Sequence, residues 1–285
     1  MSDLKALEAQ LDQKEAMVGG IRPGCAKQII WADGPQKTKL AVVYVHGFSA
    51  TLGEVRPLPD MVADALGANL FYTRLTGHGQ DGAAMGRATV EQWHADVAEA
   101  LKIGAQIGEE VVVISCSTGC TLVTTALARG AQVKATVHLS PNYGLSNILA
   151  KTLLRFVGIE HWGKFIVGRE QKFKARSDAH AQFWTLRYDT AAIFTMARSV
   201  RECLAQPIES IKTPAYFAYC NTDRVVSPGM IRKVMARWGG PVAEDILIQG
   251  PNDDTDGHVM AGEVMSPEQT APTAGRIIEW IMTLS

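Results

Sequence analysis

Short apolar runs alternate with longer helical patterns along most of this chain, and this alternation constrains its fold more than any other feature. The runs VVYV, just before His46, and VVVI, just before Ser115, are continuously apolar, as expected for strands that are covered on both faces. The segments between such runs have helical periodicity, and residues 90–107 are the clearest example. We therefore predict an α/β fold with a mostly parallel central sheet flanked by helices.

The order of the elements follows from the same patterns. The first twenty residues are predicted to form an amphipathic helix that ends at Gly19 and Gly20. Strands are predicted at Gln28–Trp31, Leu40–Val45, Asn69–Thr73, Val111–Ser115, Ala135–Leu139, Ala215–Cys220 and Asp245–Gln249.

The interval from Asn142 to Ser210 interrupts the alternation, because it has helical periodicity and no convincing strand. It is much longer than an ordinary connection between two strands. We predict that residues 142–210 form a helical cap insert, and that residues 1–141 and 211–285 form the core. The insert carries nine of the 20 aromatic residues, which we expect to pack mostly within it: Tyr143, Phe156, Trp162, Phe165, Phe173, Phe183, Trp184, Tyr188 and Phe194. At the carboxyl end of a parallel sheet, such an insert can roof a ligand crevice.

Composition and charge exclude several classes of protein. With 28 Lys+Arg against 29 Asp+Glu the chain is nearly neutral, so there is no electrostatic reason to expect a nucleic-acid partner. The longest apolar runs are six residues, far below the ~20 that a membrane helix needs, and no secretory signal opens the chain. Five cysteines without a CxxC pair suit a reducing compartment. We expect a cytoplasmic protein with no integral membrane association, and its oligomeric state stays open.

The segment VVVISCSTG is typical of a nucleophile elbow, in which a strand runs directly into a helix through a tight turn. The central residue of such a turn is strained, and the residues two before and two after it must be small. For Ser117 these neighbours are Ser115 and Gly119, whereas Cys116 does not meet the rule. Ser117 is therefore the predicted nucleophile; the alternative is an ordinary polar turn.

The loop after the strand that ends near His46 offers a backbone amide that could bind an oxyanion. Gly47 allows a sharp turn after the strand that ends near His46, which can aim the Phe48 amide into a crevice. The Phe48 and Thr118 amides would then form an oxyanion hole, and we interpret His46 itself as a structural loop histidine.

Two later loops offer the partners that a nucleophilic serine needs. Asp223 follows one predicted strand and His258 follows the last one. The order Ser117, Asp223, His258 is that of the α/β-hydrolase triad.

Taken together, these motifs resemble those of α/β-hydrolases of the carboxylesterase and monoacylglycerol-lipase type. VHGF resembles the oxyanion loop of that group, RLTGHGQD the loop after its next strand, SCSTG its elbow, NTDRVVSP its acid loop and DGHV its histidine loop. The one departure is Ser115, which replaces the usual first glycine of the elbow. The resemblance implies a serine hydrolase that cleaves small carboxylic esters through an acyl-enzyme and needs neither a metal nor an organic cofactor.

Several alternatives stay open. A thioesterase or a carbon–carbon bond hydrolase would use a similar triad, and a noncatalytic binding protein could share the fold. The segment GHGQDG matches a dinucleotide-binding pattern, although no acidic residue follows at the end of a second strand. Asn252, Asp254, Asp256 and Glu263 have the spacing of a calcium loop, with Asn in place of the usual first Asp, but a strand rather than a helix precedes them. Their nearer consequence is electrostatic, because they should raise the pKa of His258.

Overall fold

A computed structural model describes residues 3–147 and 168–284 of the chain. Nine strands lie within these ranges: β1 (Gln28–Ile30), β2 (Thr38–Val45), β3 (Asn69–Tyr72), β4 (Gly108–Cys116), β5 (Ala135–Leu139), β6 (Glu170–Lys172), β7 (Arg187–Asp189), β8 (Ala215–Tyr219) and β9 (Val242–Ile246). Seven of them form one sheet in the order β1-β3-β2-β4-β5-β8-β9. Only β1 runs antiparallel to its neighbour, so the predicted mostly parallel α/β sheet is confirmed.

Helices cover both faces of this sheet. The described residues contain α1 (Asp3–Val18), α2 (Leu58–Leu66), α3 (Gly82–Arg87), α4 (Val90–Ile107), α5 (Thr118–Ala128), α6 (Asp178–Phe183), α7 (Ala191–Leu204), α8 (Pro228–Met235) and α9 (Pro267–Met282). The predicted periodicity of α4 is confirmed, because Trp93 and Val97 are fully buried on one face and Thr89 closes a capping box with Gln92. One apolar cluster lies on each side of the sheet, since alternate residues of β2 and β4 point to opposite faces.

The last strand of the sheet differs from its prediction. β9 begins at Val242 rather than Asp245, and it pairs Val242 with Ala215 and Ile246 with Tyr219. As the edge strand it has one neighbour, and Ile246 and Ile248 are 47% and 80% exposed. The apolar run at 246–248 therefore marks the end of the strand rather than its centre, and a prediction based on hydrophobicity was wrong by about three residues.

The interval 142–210 also contains a short sheet that its sequence does not announce. β6 and β7 pair antiparallel, which corrects the prediction of an insert without strands. Both strands are three residues long and mostly polar, so no apolar alternation marks them. The helices α6 and α7 in the same interval agree with the predicted helical character.

Some of the described aromatics of the insert pack against the body of the protein. Tyr143 joins the cluster on one side of the sheet, and Trp184 joins the cluster on the other side. Tyr188 and Phe194 are buried as well, whereas Phe173 is 57% exposed. Phe156, Trp162 and Phe165 lie outside the described residues. The expectation that the aromatics pack within the insert is therefore wrong for Tyr143 and Trp184, whereas Tyr188 contacts both Phe48 of the core and, at 5.9 Å, Phe173 of the insert.

No helix in residues 3–147 and 168–284 is both long enough and apolar enough to cross a membrane.

Candidate active site

The turn between β4 and α5 has the geometry of a nucleophile elbow. Ser117 lies at its centre with φ 49° and ψ −115°, a conformation that L-residues seldom adopt. A Cβ atom on Gly119 would lie 2.3 Å from the Val45 carbonyl oxygen, so this position admits no side chain. Ser115 is fully buried in the strand, and its hydroxyl donates to the Val137 carbonyl oxygen at 3.1 Å. Ser115 thus fits at the position where the family that the sequence resembles usually has glycine.

The structure brings Ser117, Asp223 and His258 together. His258 Nε2 lies 3.0 Å from Ser117 Oγ, and His258 Nδ1 lies 2.9 Å from Asp223 Oδ2. Asp223 Oδ1 accepts the backbone amides of Val225 and Val226, which fixes the carboxylate against the ring. Each residue follows a strand of the sheet, so the three side chains meet at its carboxyl edge.

The surroundings of His258 shift its proton affinity. Burial disfavours the charged ring, but the Asp223 carboxylate opposes this through its charge and its hydrogen bond, and Glu54 and Asp254 add further negative charge. The net result is a pKa of His258 above the usual histidine value. The predicted direction of this shift is therefore confirmed, and the ring retains its proton to a higher pH than an exposed histidine does.

The two predicted amide donors belong to Thr118, which follows Ser117 directly, and to Phe48, which follows the glycine next to the elbow. Among the described residues, the Phe48 amide has no hydrogen-bond partner, and Thr118 is the first residue of α5, where a backbone N–H has none within its helix. A Cβ atom on Gly47 would lie 3.0 Å from Ser117 Cβ, so the loop before Phe48 directly contacts the elbow. Both N–H groups are thus without a hydrogen-bond partner among the described residues.

His46 holds this loop in place rather than facing Ser117. Its Nε2 accepts the Leu75 amide at 3.0 Å, so its Nδ1 carries the proton and donates to the Gly47 carbonyl oxygen at 2.8 Å. Burial and the neighbouring charges of His78 and Arg74 lower the pKa of His46 well below its usual value. These contacts agree with the interpretation of His46 as a structural histidine.

The Phe48 side chain connects the loop to both the core and the insert. Its ring meets Tyr188 of the insert edge to face, with centroids 5.3 Å apart, and it contacts His78 and Trp93 of the core at 6.1 and 6.3 Å. A change in the insert can therefore reach the residue that carries a predicted oxyanion donor.

The sequence analysis missed one carboxylate in this region. Glu54 is 2% exposed, and its Oε2 accepts the Gly47 amide at 2.6 Å and the Tyr44 hydroxyl at 2.9 Å. It lies in a single 3₁₀ turn between β2 and α2, where no periodic pattern marks its burial. The one available signal is an acidic residue within the otherwise mostly apolar stretch ATLGEV.

The carboxylates before His258 are used within the protein. Asp254 Oδ2 accepts the backbone amides of His258 and Val259, while its Oδ1 accepts Arg176 of the insert at 2.5 Å. Burial opposes the ionisation of Asp254, but these hydrogen bonds outweigh burial and lower its pKa. Within the described ranges no cluster of His, Cys, Asp or Glu side chains is arranged to hold a metal ion. Asp254, one of the residues with the spacing of a calcium loop, therefore binds the backbone of the histidine loop.

The glycines of GHGQDG also serve the fold. A Cβ atom on Gly77 would lie 2.7 Å from the Ala84 carbonyl oxygen, and one on Gly79 would lie 3.0 Å from Cys25 Cβ. Both glycines thus pack against the chain itself, which leaves no open cradle of the kind that a bound phosphate occupies.

Comparison with known proteins places this site in a family. A family model described as "Serine aminopeptidase, S33" (Hydrolase_4) matches residues 36–250, which is most of the chain. The chain belongs to the Hydrolase_4 family. The matched range includes Ser117 and Asp223 and ends before His258, so the place of His258 depends on the geometry described above.

A relative of this Hydrolase_4 chain agrees with that assignment. It is 26% identical to the thermostable monoacylglycerol lipase of Bacillus sp. (strain H-257) over 195 residues, which are 67% of this chain and 73% of that protein. The predicted resemblance to carboxylesterases and monoacylglycerol lipases is confirmed, and the chain is a lipase- and esterase-like α/β-hydrolase.

Solved structures show the same fold at lower identity. A chain from work on the metagenome-derived lipolytic enzymes LipS and LipT superimposes with a TM-score of 0.75 at 17% identity, over 92% of this chain and 99% of that one. A soluble variant of monoglyceride lipase from Saccharomyces cerevisiae gives 0.68 at 11% identity, over 91% of both chains. These two likenesses bear on the fold of the Hydrolase_4 chain and not on its substrate.

Proposed function

We propose that this protein is a carboxylic ester hydrolase whose catalytic residues are Ser117, Asp223 and His258. The observation that carries the proposal is the pair of contacts made by His258, 3.0 Å to Ser117 Oγ and 2.9 Å to Asp223 Oδ2. Both distances lie in the hydrogen-bond range, within which a base can take the proton of a nucleophile and a carboxylate can orient that base.

The reaction follows from these positions. His258 Nε2 accepts the Ser117 proton as Oγ attacks the ester carbonyl, and Asp223 holds the Nδ1 proton and stabilises the imidazolium. The Phe48 and Thr118 amides bind the oxyanion. His258 then protonates the leaving alcohol, which gives an acyl-enzyme, and a water deprotonated by His258 releases the carboxylic acid.

The surroundings of the elbow favour a moderately apolar substrate. A cavity of about 80 Å³ lies next to Asn142, and neither Ser117 nor His258 lines it. Apart from Asn142 and Arg201 its lining is mostly apolar and includes Tyr143, Met196, Leu204 and Met230. The Asn142 amide donates to Thr118 Oγ1 at 3.3 Å, so the cavity wall connects directly to the first residue of α5. An alkyl or acyl group is the chemistry that such a lining accommodates. We further propose that residues 142–210 act as a cap over this site.

A fluorophosphonate probe tests the proposal directly. Labelling of the intact chain supports the proposal if mass spectrometry maps the adduct to the Ser117 peptide. Ser117→Ala should abolish this labelling and lower kcat by up to about 10⁶-fold. Ser140→Ala is the matched control, since Ser140 also has a positive φ and its buried hydroxyl has no partner among the described residues. Absence of labelling in the wild type, or labelling that survives Ser117→Ala, would contradict the proposal.

The substrate class needs a separate comparison. Rates on p-nitrophenyl esters of increasing acyl length should exceed those on acyl-CoA and on dienone substrates of carbon–carbon bond hydrolases. A higher kcat/KM on either of the last two would move the assignment to the corresponding hydrolase while leaving the triad unchanged.

A further inference from the structure

The carboxylate of Glu54 is buried directly behind the proposed oxyanion loop. The side chain accepts the Gly47 amide at 2.6 Å, the shortest of its hydrogen bonds, and the Tyr44 hydroxyl at 2.9 Å. The Cys116 thiol lies beside the same carboxylate, and burial and the Glu54 charge both raise the pKa of that thiol. Two donors thus converge on one oxygen of a buried acid, with the thiol beside it, and these hydrogen bonds favour the carboxylate against the burial that opposes it.

The position of Glu54 relative to Ser117 is equally close. A Cβ atom on Gly47 would lie 2.5 Å from Glu54 Oε1 and 3.0 Å from Ser117 Cβ. The carboxylate and the nucleophile therefore flank a single glycine whose peptide leads into Phe48. The Gly47 N–H that Glu54 binds belongs to the peptide before Gly47, and His46 Nδ1 holds the carbonyl of the peptide after it, which carries the Phe48 N–H, at 2.8 Å. Glu54 and His46 thus fix the two peptides that flank Gly47.

From these contacts we propose that Glu54 is a positioning residue for ester hydrolysis: together with His46 it fixes the two peptides that flank Gly47, so that the Phe48 amide faces the oxyanion, and it places a buried carboxylate close to the elbow at which His258 contacts Ser117. This inference rests on the proposed function, since it assigns Glu54 a place in the same reaction. Glu54 does not contact the reacting atoms, so it acts through Gly47 and His258.

Other charged and titratable groups share this environment and enter the test. Those that face His258 or Glu54 are Asp223, Asp254, Tyr44 and Cys116, with Arg176 bound to Asp254. Burial raises the pKa of Glu54, while the hydrogen bonds from Gly47 and Tyr44 and the charge of His258 oppose this rise. Removal of the Glu54 charge therefore changes one of three negative groups around the ring and leaves the other two in place.

Two variants separate the two parts of the proposal. Glu54→Gln retains an acceptor for the Gly47 amide but loses the charge, so kcat should stay within about threefold while the acid limb of the pH profile moves to lower pH by about half a unit. Glu54→Met removes the acceptor, so kcat should fall at least about tenfold, towards the 10²–10³ that a lost oxyanion donor costs, at nearly unchanged KM.

A matched control comes from another acid bonded to a tyrosine. Asp60, which lies in α2, accepts hydrogen bonds from Tyr72 and Arg56. Among the described residues it has no hydrogen bond to Gly47, Ser117 or His258. Asp60→Asn should leave both kcat and the acid limb unchanged.

The outcomes distinguish this inference from the function on which it rests. Glu54→Met at wild-type kcat, or an equal loss in both Glu54 variants, overturns the positioning role while the wild type still hydrolyses esters through Ser117. If Glu54→Met does not fold, the Glu54→Gln profile decides, and an unmoved acid limb overturns the electrostatic role. Failure of the wild type to hydrolyse any ester would instead reject the proposed function itself.

Discussion

Arg176 of the insert and Asp254 of the histidine loop form an ion pair at 2.5 Å, and the same arginine reaches Asp256 at 2.7 Å. Asp254 in turn accepts the backbone amides of His258 and Val259, so its carboxylate shapes the loop that carries the proposed base. The insert therefore contacts the catalytic region through a charged group as well as through the aromatic contact of Tyr188 with Phe48.

The ion pair predicts an electrostatic effect of the insert on catalysis. Arg176→Gln removes a cation near His258 and leaves Asp254 unneutralised, and both changes favour the protonated ring. The acid limb of kcat/KM should therefore move to higher pH by about a few tenths of a unit, a small shift because Arg176 is partly exposed. Arg198→Gln, which breaks an exposed ion pair with Glu91, should leave the limb in place. A shift to lower pH would contradict the prediction.

The raised pKa of His258 sets the pH dependence of the wild type. A general base must be neutral, and a ring whose pKa is above the ordinary histidine value stays protonated to a higher pH. Activity should therefore be lost as pH falls through an apparent pKa above about 6.5. The measurement is kcat/KM from pH 5 to 9 on one p-nitrophenyl ester. A flat profile between pH 5 and 8 would reject His258 as the base.

The meeting of the three proposed triad residues was predictable because their signals are local. Ser117 lies between small residues directly after an apolar strand, and Asp223 and His258 lie in polar loops that follow the last two strands of the predicted sheet. In a mostly parallel sheet, residues at the carboxyl ends of neighbouring strands come together without further information.

Glu54 was not predictable in this way, because its burial depends on groups from three different elements. Tyr44 belongs to β2, Cys116 to β4 and Gly47 to the loop after β2, and no pattern near residue 54 indicates that they surround it. The bounds of the edge strand β9 were misplaced and the polar pair β6–β7 was missed for a related reason, since their pairing comes from backbone hydrogen bonds rather than from an apolar face.

The strained backbone of Ser117 predicts a difference between two inactive variants. Glycine adopts a positive φ at little cost, whereas alanine retains strain of about 1–3 kcal/mol. Ser117→Gly should therefore exceed Ser117→Ala in free energy of unfolding by about 1 kcal/mol, measured by urea denaturation. The control pair is at Ser115, which lies in β4 without a positive φ, and there alanine should be the more stable variant. The same order at both positions would count against strain at the elbow.

Close packing at Gly119 predicts that one added methyl group disables the site. A Cβ atom there would lie 2.3 Å from the Val45 carbonyl oxygen and 2.7 Å from that of His46, and backbone atoms cannot move aside as a flexible side chain can. Gly119→Ala should therefore displace the elbow from the oxyanion loop and lower both kcat and the thermal midpoint. Gly275, inside α9, has no atom within 4 Å of its built Cβ, so Gly275→Ala should raise stability by up to about 1 kcal/mol at unchanged kcat. A Gly119→Ala variant with the kcat of the wild type would contradict the prediction, because it would show that the elbow can move away from the oxyanion loop without loss of activity.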